Sequence, residues 1–433
     1  MKQQRIISLL AFTISVILLS NILNHTVSTS RFKESYPAVV CPPNTAGLAT
    51  AISLTSQKTM ARKTGTSSLT TSPVGFSRYA LASQAAVIEA GSVTPIAWQV
   101  NTGVWAGSVP CSSPISSQWF IGATADITSK GSLNLVNSGL GRALVEITIF
   151  TEKSALNPEV ISLKANSYQQ IALPTLAPGA KTIAIHLLTR SGRVNGFVVD
   201  ERGKGLRALG GDLVNSTGNP STSIQIPAIP QQANKKTSTP HTLRILIPGD
   251  VDAHISAEIR STDGTFSPVG IDGITVAHKK VVEIPMDITM ASGVFALHIS
   301  SDQPILASVF SKTVASGKSD FVWSTAADEL SDFTLATTGL SPTLVFTGRS
   351  ISVQLDLTYT NGSTKTVKIS DQDIATFAAP ANLRSVRFSA ISAGTSGAAL
   401  ISSSSGYGYI PLNPGSKLTK SFVPSSNIRV LNP

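Results

Sequence analysis

The sequence predicts an all-β protein, in which tandem antiparallel β-sandwich (Ig-like) domains follow an N-terminal hydrophobic helix. Residues 242–312 carry the first evidence: short β-branched runs, several of them alternating apolar with polar residues, as in TLRILIP, AHISAEIRSTDG, KKVVEIP and PILASVFSK. The second observation is that Gly, Pro, Asp and Ser separate these runs, without a long helical period between them. This pattern is typical of strands with one buried face, joined by turns rather than by helices.

The third observation is recurrence of the same order of runs along the chain. SLNLVNSG, ALVEITIFT, YQQIALP and KTIAIHLLT, from Ser132 onward, match the runs after Thr242 at an offset of about 110 residues, and a third copy begins near Thr343. Asn361-Gly362 and Asp263-Gly264 lie between such runs and suit tight hairpins, because both dipeptides tolerate positive φ. About seven short strands in roughly 100 residues favour a two-sheet sandwich for each copy.

These boundaries give five predicted segments. They are residues 1–30, a signal peptide or membrane anchor; 36–118, an N-terminal β domain closed by a disulfide; and three β-sandwich repeats at 119–236, 237–332 and 333–433. The strand-like runs of 36–118 do not superpose on those of the later repeats.

The N-terminal segment from Ile6 to Leu23 is free of charge and follows two cations. As a helix it would span about 27 Å, close to the hydrocarbon thickness of a bilayer. The preceding cations favour a cytoplasmic N-terminus with the remainder of the chain outside. Two interpretations stay open. An uncleaved single-pass anchor fits the length of the segment, whereas a cleaved signal would need a better A-x-A pattern than Val27, Thr29 and Ser30 supply.

The only two cysteines of the chain, Cys41 and Cys111, bracket the predicted N-terminal β domain. An even number of cysteines in a chain that faces the outside suggests a disulfide. The alternative is a pair of buried free thiols.

Composition indicates an extracellular β protein with an anionic partner. Charged residues make up 13% of the 433 residues, and the formal net charge is +10. A basic protein gains affinity for anionic lipid, acidic wall polymer and nucleic acid. The basic residues are dispersed, however, and do not alternate with aromatics, which argues against nucleic-acid binding.

Three aromatic residues lie where one predicted domain meets the next: Trp119 and Phe120 in QWFIGATAD, and Trp323 in DFVWSTAADE. One interpretation is an exposed platform on which sugar rings stack. The other is that each residue fills the seam between consecutive sandwiches, with the indole N–H hydrogen-bonded.

The chain shows no sequence motif for catalysis, a cofactor or a metal. None of the six histidines has a metal-ligand spacing, and G-x-S-x-G and H-E-x-x-H do not occur. His186 and His298 occupy matching positions in their repeats, which indicates a structural strand position. A triad assembled from distant Ser, His and Asp residues is not excluded by sequence.

Short motifs carry a resemblance to a known family. VVCPP, a second cysteine before QWFIGATAD, LNLVNSG with ALVEITI, and SSDQPILAS resemble a domain-of-unknown-function family of actinobacterial secreted or membrane-anchored proteins with tandem β-sandwich repeats. The resemblance implies pairing of Cys41 with Cys111 and a location in the cell envelope. It implies no activity.

Three functional hypotheses follow. The first is a non-enzymatic envelope protein, a membrane-tethered rod of β-sandwiches that scaffolds or adheres, with anionic cell-wall polymer or another envelope protein as partner. The second is a carbohydrate-binding module protein that uses Trp119 or Trp323. The third is an exported hydrolase whose site sequence motifs do not reveal.

Overall fold

The computed structural model describes residues 12–18, 32–44, 48–55, 59–65, 72–74, 78–81, 84–232, 241–288 and 293–422. It contains two compact units. One comprises residues 1–36 with 418–433, and the other is Pro37–Lys417. In the first unit, residues 12–18 are helical, and β1 (Phe32–Ser35) pairs antiparallel with β33 (Thr419–Phe422).

The predicted membrane segment, Ile6 to Leu23, lies mostly outside the described residues. Within the described ranges, no helix is both long enough and apolar enough to cross a membrane.

The unit Pro37–Lys417 consists of four groups of strands, called modules 1 to 4 here. Module 1 contains β2 (Val39–Cys41), β3 (Ala49–Ser53), β4 (Thr59–Lys63), β5 (Ser72–Val74), β6 (Arg78–Leu81), β7 (Ala86–Glu89), β8 (Val93–Thr94), β9 (Ile96–Asn101) and β10 (Trp105–Pro110). Module 2 contains β11 (Ser117–Ile121), β12 (Ser132–Asn137), β13 (Ala143–Thr151), β14 (Glu159–Leu163), β15 (Ser167–Ala172), a one-turn helix (Leu173–Leu176), β16 (Ile183–Ser191), β17 (Val194–Lys204) and β18 (Arg207–Val214).

Modules 3 and 4 complete this unit. Module 3 contains β19 (Ser221–Gln231), β20 (His241–Leu246), β21 (Ala253–Ser261), β22 (Gly264–Phe266), β23 (Ile274–Val276), β24 (Val281–Met286), β25 (Gly293–Ala315) and β26 (Lys318–Thr325). Module 4 contains β27 (Phe333–Ala336), β28 (Thr343–Tyr359), β29 (Thr364–Ala378), β30 (Leu383–Ser389), β31 (Ser396–Ser403) and β32 (Gly406–Pro411).

The same antiparallel pairing scheme occurs in all four modules. In module 2, β12 lies between β15 and β17, β17 pairs with β18, and β13 lies between β14 and β16, which pairs with β11. Module 1 repeats this scheme with β3 between β6 and β9, and β4 between β5 and β7. The expectation that the N-terminal region differs from the later repeats was therefore wrong. Its strands are shorter, so run lengths alone hid the common pairing.

In modules 3 and 4, one long strand takes the place of two shorter strands of this pairing scheme. β25 pairs with β19 and β21 along its first half, and with β20 and β26 along its second half. β28 likewise pairs with β29 along most of its length, and with β31 and β30 along its first and second parts. Each long strand therefore crosses from one sheet of its module into the other.

Burial shows that the two sheets of a module face each other. In module 2, alternate residues of β13 point inward, as the alternation in ALVEITIFT predicts. Together with residues of the opposite sheet they form one apolar core, which includes Leu133, Leu135, Val145, Ile147 and Ile185. The all-β fold class with antiparallel sheets predicted from sequence is confirmed.

Strand pairing divides the chain differently from two of the predicted boundaries. β19 precedes the predicted boundary at residue 237, yet it pairs with β25 of module 3. β33, within the predicted segment 333–433, belongs to the unit that contains the N-terminus. Pairing partners far along the chain are invisible to a reading of local runs.

Module 1 contacts module 4 directly. β8 pairs in parallel with β27, the Ser53 hydroxyl donates to the Thr338 carbonyl over 2.7 Å, and the Thr338 hydroxyl donates to the Leu54 carbonyl over 2.9 Å. A rod would bring only consecutive modules together. The expectation of a rod is therefore wrong for Pro37–Lys417, because the first and last modules share hydrogen bonds.

Candidate functional site

The last strands of the four modules, β10, β18, β26 and β32, pack against one another. Glycines allow the close approach. A Cβ on Gly211 would lie 2.8 Å from the Trp105 ring, and a Cβ on Gly408 would lie 2.5 Å from the Ser108 hydroxyl. Such distances are too short for any side chain, so glycine is required at these contacts between modules.

Three buried carboxylates bind modules 2 and 3 together at this meeting point. Asp212 of β18 accepts the Trp323 backbone N–H over 2.7 Å, and Asp320 of β26 accepts the Gly211 backbone N–H over 3.0 Å. Asp200 of β17 accepts the Trp323 indole N–H over 2.9 Å. The three aspartates are at most 1% exposed. We call this set of three aspartates and Trp323 the aspartate clasp.

Two arginines flank the aspartate clasp. Arg202 forms an ion pair of 2.7 Å with Asp200. Arg244 is 2% exposed, pairs with Glu283 over 2.6 Å, and lies 4.6 Å from the centre of the Trp323 ring. Its guanidinium also donates to the Ala123 and Ile183 carbonyls of module 2, over 2.6 and 3.0 Å. These contacts partly offset the cost of burying the charges.

Burial shifts the pKa values of the clasp. Desolvation raises the pKa of Asp320 to about 7, although the Gly211 N–H opposes the shift. Desolvation also raises the pKa of Asp212 well above its ordinary value, and the neighbouring Asp320 and Asp200 charges add to the rise. Desolvation lowers the pKa of Arg244, against the pull of Glu283. These groups hold strands of different modules in register through the hydrogen bonds given above, although Oδ2 of Asp320 is buried without a hydrogen-bond partner among the described residues.

The aromatics singled out from sequence are buried. Trp119 is 7% exposed and stacks on the His186 ring at 3.8 Å, while Phe120 is 2% exposed within the core of module 2. Trp323 is fully buried in the clasp. A sugar ring cannot reach these faces, whereas Trp323 does fill a seam between modules with its indole N–H hydrogen-bonded.

The structure contains the predicted disulfide, which joins Cys41 to Cys111 with a Cα–Cα distance of 4.5 Å. Both cysteines are fully buried in module 1. The bond links β2 to the residue after β10, next to the bridge between Val40 and Ser112. The alternative of two buried free thiols does not hold.

A serine, a histidine and a glutamate lie side by side on three adjacent strands of module 3. The Ser223 hydroxyl of β19 is 3.2 Å from Nε2 of His298 on β25, and Nδ1 of His298 is 3.6 Å from Glu258 on β21. Burial, assisted by the Arg260 charge, lowers the pKa of His298, so its imidazole is neutral at pH 7. This order of groups is that of a nucleophile, a base and an orienting carboxylate.

Module 2 repeats the arrangement on its equivalent strands. The Ser117 hydroxyl of β11 is 3.0 Å from Nε2 of His186, and the charge of Glu146 acts on that histidine. Glu146 also pairs with Arg190 over 2.7 Å. The matching positions of His186 and His298 were the one sequence signal for this feature. Their serine and glutamate partners come from separate strands and were missed.

Ser223 also borders a surface cleft of about 310 Å³ between modules 3 and 4. Hydroxyl, amide and carboxylate side chains dominate the polar part of its lining, which includes Thr217, Ser221, Ser223, Gln225, Asp328 and Glu329. The turn at Gly394 forms one wall, where its N–H donates to Glu329 over 2.6 Å. Ser223 is thus the one member of the two serine–histidine pairs that also borders this cleft. Among the described residues, His, Cys, Asp and Glu do not form a group of three or more that could hold a metal ion.

Comparison with protein-family models identifies the family of the chain. Residues 65–380 match the family of unknown function DUF5719, which is more than half of the sequence. The chain belongs to this family. The match to DUF5719 begins within module 1 and ends within module 4, so it includes the aspartate clasp and both serine–histidine pairs. A search of curated proteins found no match.

Proposed function

We propose that this DUF5719 protein is a non-enzymatic component of the cell envelope, exported and tethered by its N-terminal segment. The protein scaffolds or adheres by binding anionic cell-wall polymer. The observation that carries the proposal is the aspartate clasp. Asp212 and Asp320, whose pKa values burial raises, join β18 to β26 and do not line the cleft. Carboxyl groups whose pKa values are raised by burial between strands, away from the cleft, support a structural role for this site.

Charge and redox chemistry support the location and the partner. The net charge of +10 favours anionic polymer over neutral glycan. The disulfide between Cys41 and Cys111 fits an oxidising compartment outside the cytoplasm. The charge-free segment from Ile6 to Leu23 fits export, either as an anchor or as a cleaved signal. We further propose that the recurring pairing scheme derives from tandem repeats, as in the actinobacterial family that the motifs resemble.

Sedimentation of the purified full chain with isolated cell wall tests the partner. We expect retention that falls steeply as salt rises, because contacts between exposed charges are screened. Wall stripped of its anionic polymer is the control and should not retain the protein. Equal retention on stripped wall, or none at low salt, would contradict the proposed partner.

The cleft favours a second candidate function, an exported serine hydrolase. In this candidate, Ser223 Oγ adds to the carbonyl carbon of an ester while its proton passes to His298 Nε2. The alcohol leaves with that proton, and water hydrolyses the acyl-enzyme through the same base. Glu258, 3.6 Å from His298, would orient the imidazole as a positioning residue.

Labelling by a serine-reactive fluorophosphonate probe tests this candidate. We expect labelling that is lost in Ser223→Ala and His298→Ala but kept in Ser117→Ala, a matched control with the same serine–histidine contact in module 2. A wild-type chain that the probe does not label would remove the hydrolase. Labelling that survives Ser223→Ala would place any nucleophile elsewhere.

A further inference from the structure

Two aliphatic side chains are fully exposed on neighbouring turns of module 2. Ile127 is 99% exposed, and Leu206, at the tip of the hairpin between β17 and β18, is 106% exposed. Apolar groups of this size usually fold back onto a protein surface, because water contact is unfavourable. Val269 of module 3 is 93% exposed by itself, whereas Ile127 and Leu206 lie on adjacent turns, and we take this pair as the centre of a candidate contact surface.

Backbone hydrogen bonds hold the two turns side by side. The Gly203 N–H donates to the Thr128 carbonyl over 2.8 Å, and the Lys130 N–H donates to the Glu201 carbonyl over 2.7 Å. The Lys130 ammonium adds a contact of 3.3 Å to the Gly205 carbonyl at the hairpin tip. Ile127 and Leu206 are therefore presented by a fixed framework.

Cations surround this aliphatic pair. Lys130, Lys204 and Arg207 are exposed within four residues of Ile127 or Leu206 along the chain. Two acidic groups lie nearby: Asp126, which accepts from the Thr128 N–H and hydroxyl over 2.8 and 2.7 Å, and Glu201, which is half-buried. The net charge of these side chains is positive, and they surround the apolar pair.

The turn between β25 and β26 lies at the same end of the packed strands β18 and β26 as the tip of the β17–β18 hairpin. Gly210 approaches Asp320, and Asp212 accepts from Trp323, so contacts along β18 and β26 advance in the same direction. Lys318 at the start of β26 is exposed and donates to the Gly103 carbonyl over 2.7 Å. It adds a fourth cation to this end of the unit.

We propose that this face, formed by Ile127 and Leu206 with Lys130, Lys204 and Arg207, inserts into the surface of an anionic lipid bilayer. Aliphatic side chains enter the boundary between headgroups and acyl chains, and the cations pair with anionic headgroups. A soluble anionic polymer would satisfy the cations alone and leave both aliphatic residues in water. The proposal goes beyond the binding of wall polymer, because it assigns a different ligand to a defined face.

A fluorophore at the tip separates this face from the N-terminal segment in the full chain. In Leu206→Cys labelled with an environment-sensitive dye, we expect a blue shift and a several-fold rise in emission with vesicles of phosphatidylcholine and phosphatidylglycerol, quenched by acyl-chain spin labels. Val269→Cys is the matched control, since Val269 is 93% exposed on module 3. The control should not respond.

Three outcomes would overturn the proposal. These are equal responses at the two positions, no response at Leu206, and a response to a soluble polyanion that lipid spin labels fail to quench. In a second measurement with the same dye at Leu206→Cys, the additional change Ile127→Ser should lower the rise in emission with anionic vesicles several-fold, whereas the additional change Val269→Ser should leave it unchanged. Replacement of Lys130, Lys204 and Arg207 by Gln should abolish the preference of this dye response for anionic over neutral vesicles. Failure of wall binding in the sedimentation experiment would leave this result unchanged.

Discussion

Single buried carboxyl groups have the largest electrostatic effect at the residue scale. Asp320 is 1% exposed, and only backbone N–H groups oppose its loss of hydration. Its pKa of about 7 in the folded chain lies well above its value in an unfolded chain. The folded chain therefore holds this proton more tightly. The resulting stabilisation is fully present below pH 4 and is lost as pH rises through 7.

Asp320→Asn removes this dependence, because the amide cannot ionise. Between pH 5 and pH 8 we expect the free energy of unfolding of the wild type to fall, relative to Asp320→Asn, by on the order of 2–3 kcal/mol. Urea unfolding across this range measures the difference. His241, whose pKa burial lowers to about 4, destabilises the fold as pH falls, but it does so in both proteins and cancels. The part of the raised pKa of Asp212 that comes from the Asp320 charge is lost in Asp320→Asn, which changes the difference in the same direction. Parallel pH profiles would contradict the pKa of Asp320.

Trp323→Phe tests the clasp at its aromatic member. The change removes the indole N–H that Asp200 accepts and leaves a buried carboxylate with one donor fewer. We expect a loss of about 1–3 kcal/mol in the free energy of unfolding beyond the packing loss. Trp119→Phe is the comparison, since that ring stacks on His186 outside the clasp. Equal losses from the two variants would mean that the hydrogen bond to Asp200 contributes nothing.

At the element scale, β-hairpins make the contacts between modules. Each module ends in one: β9–β10, β17–β18, β25–β26 and β31–β32. The second strand of each hairpin meets the corresponding strands of other modules, and Asn215 after β18 donates to the Ser108 carbonyl over 3.1 Å and the Tyr409 carbonyl over 2.6 Å. One side chain thereby joins modules 1, 2 and 4.

Gly408→Ala tests the close approach of these strands. The new Cβ would overlap the Ser108 hydroxyl and the Trp98 ring, both at 2.5 Å. Overpacking at such a contact costs about 1–3 kcal/mol. Gly249→Ala is the matched control, because a Cβ there meets nothing within 4 Å. Thermal unfolding of the two variants should show a lower midpoint for Gly408→Ala alone, and a tolerated Gly408→Ala would refute tight packing between β10 and β32.

Apolar cores continue across module boundaries at the scale of the unit Pro37–Lys417. The core of module 2 includes Phe310, Phe321 and Trp323 of module 3, and the core of module 4 includes Ile96 and Trp98 of module 1. Val136 and Phe197 of module 2 belong to the core of module 1. Loss of one module exposes part of the next, so the unit should unfold as one.

Calorimetry of Leu297→Ala tests this cooperativity. Leu297 is fully buried in the core of module 3, so its truncation costs about 2–5 kcal/mol. We expect the whole transition of the unit to move to lower temperature. A new low-temperature transition, with the remainder unchanged, would show that the modules unfold independently.

The disulfide also acts on the whole unit. It closes a loop with a sequence separation of 70, and its removal costs about 4 kcal/mol in the chain-entropy model. Cys41→Ser combined with Cys111→Ser should therefore lower the unfolding midpoint under non-reducing conditions. Reduction of the wild type should reproduce the shift and leave the double variant unaffected. No difference between reduced and oxidised wild type would exclude a stabilising role.

The sequence by itself determined the fold class and the strand runs, because alternation of apolar residues and turn dipeptides are local. Its even cysteine count favoured a disulfide, and the structure decided between that bond and two free thiols. The sequence also indicated the shared position of His186 and His298. The burial of Trp119 and Trp323, the aspartate clasp and the contact between modules 1 and 4 were decided only by the tertiary structure. Each of these depends on residues more than 100 positions apart, such as Asp212 and Trp323. A single Asp in an apolar strand has the same sequence context whether it faces water or a backbone N–H from another module.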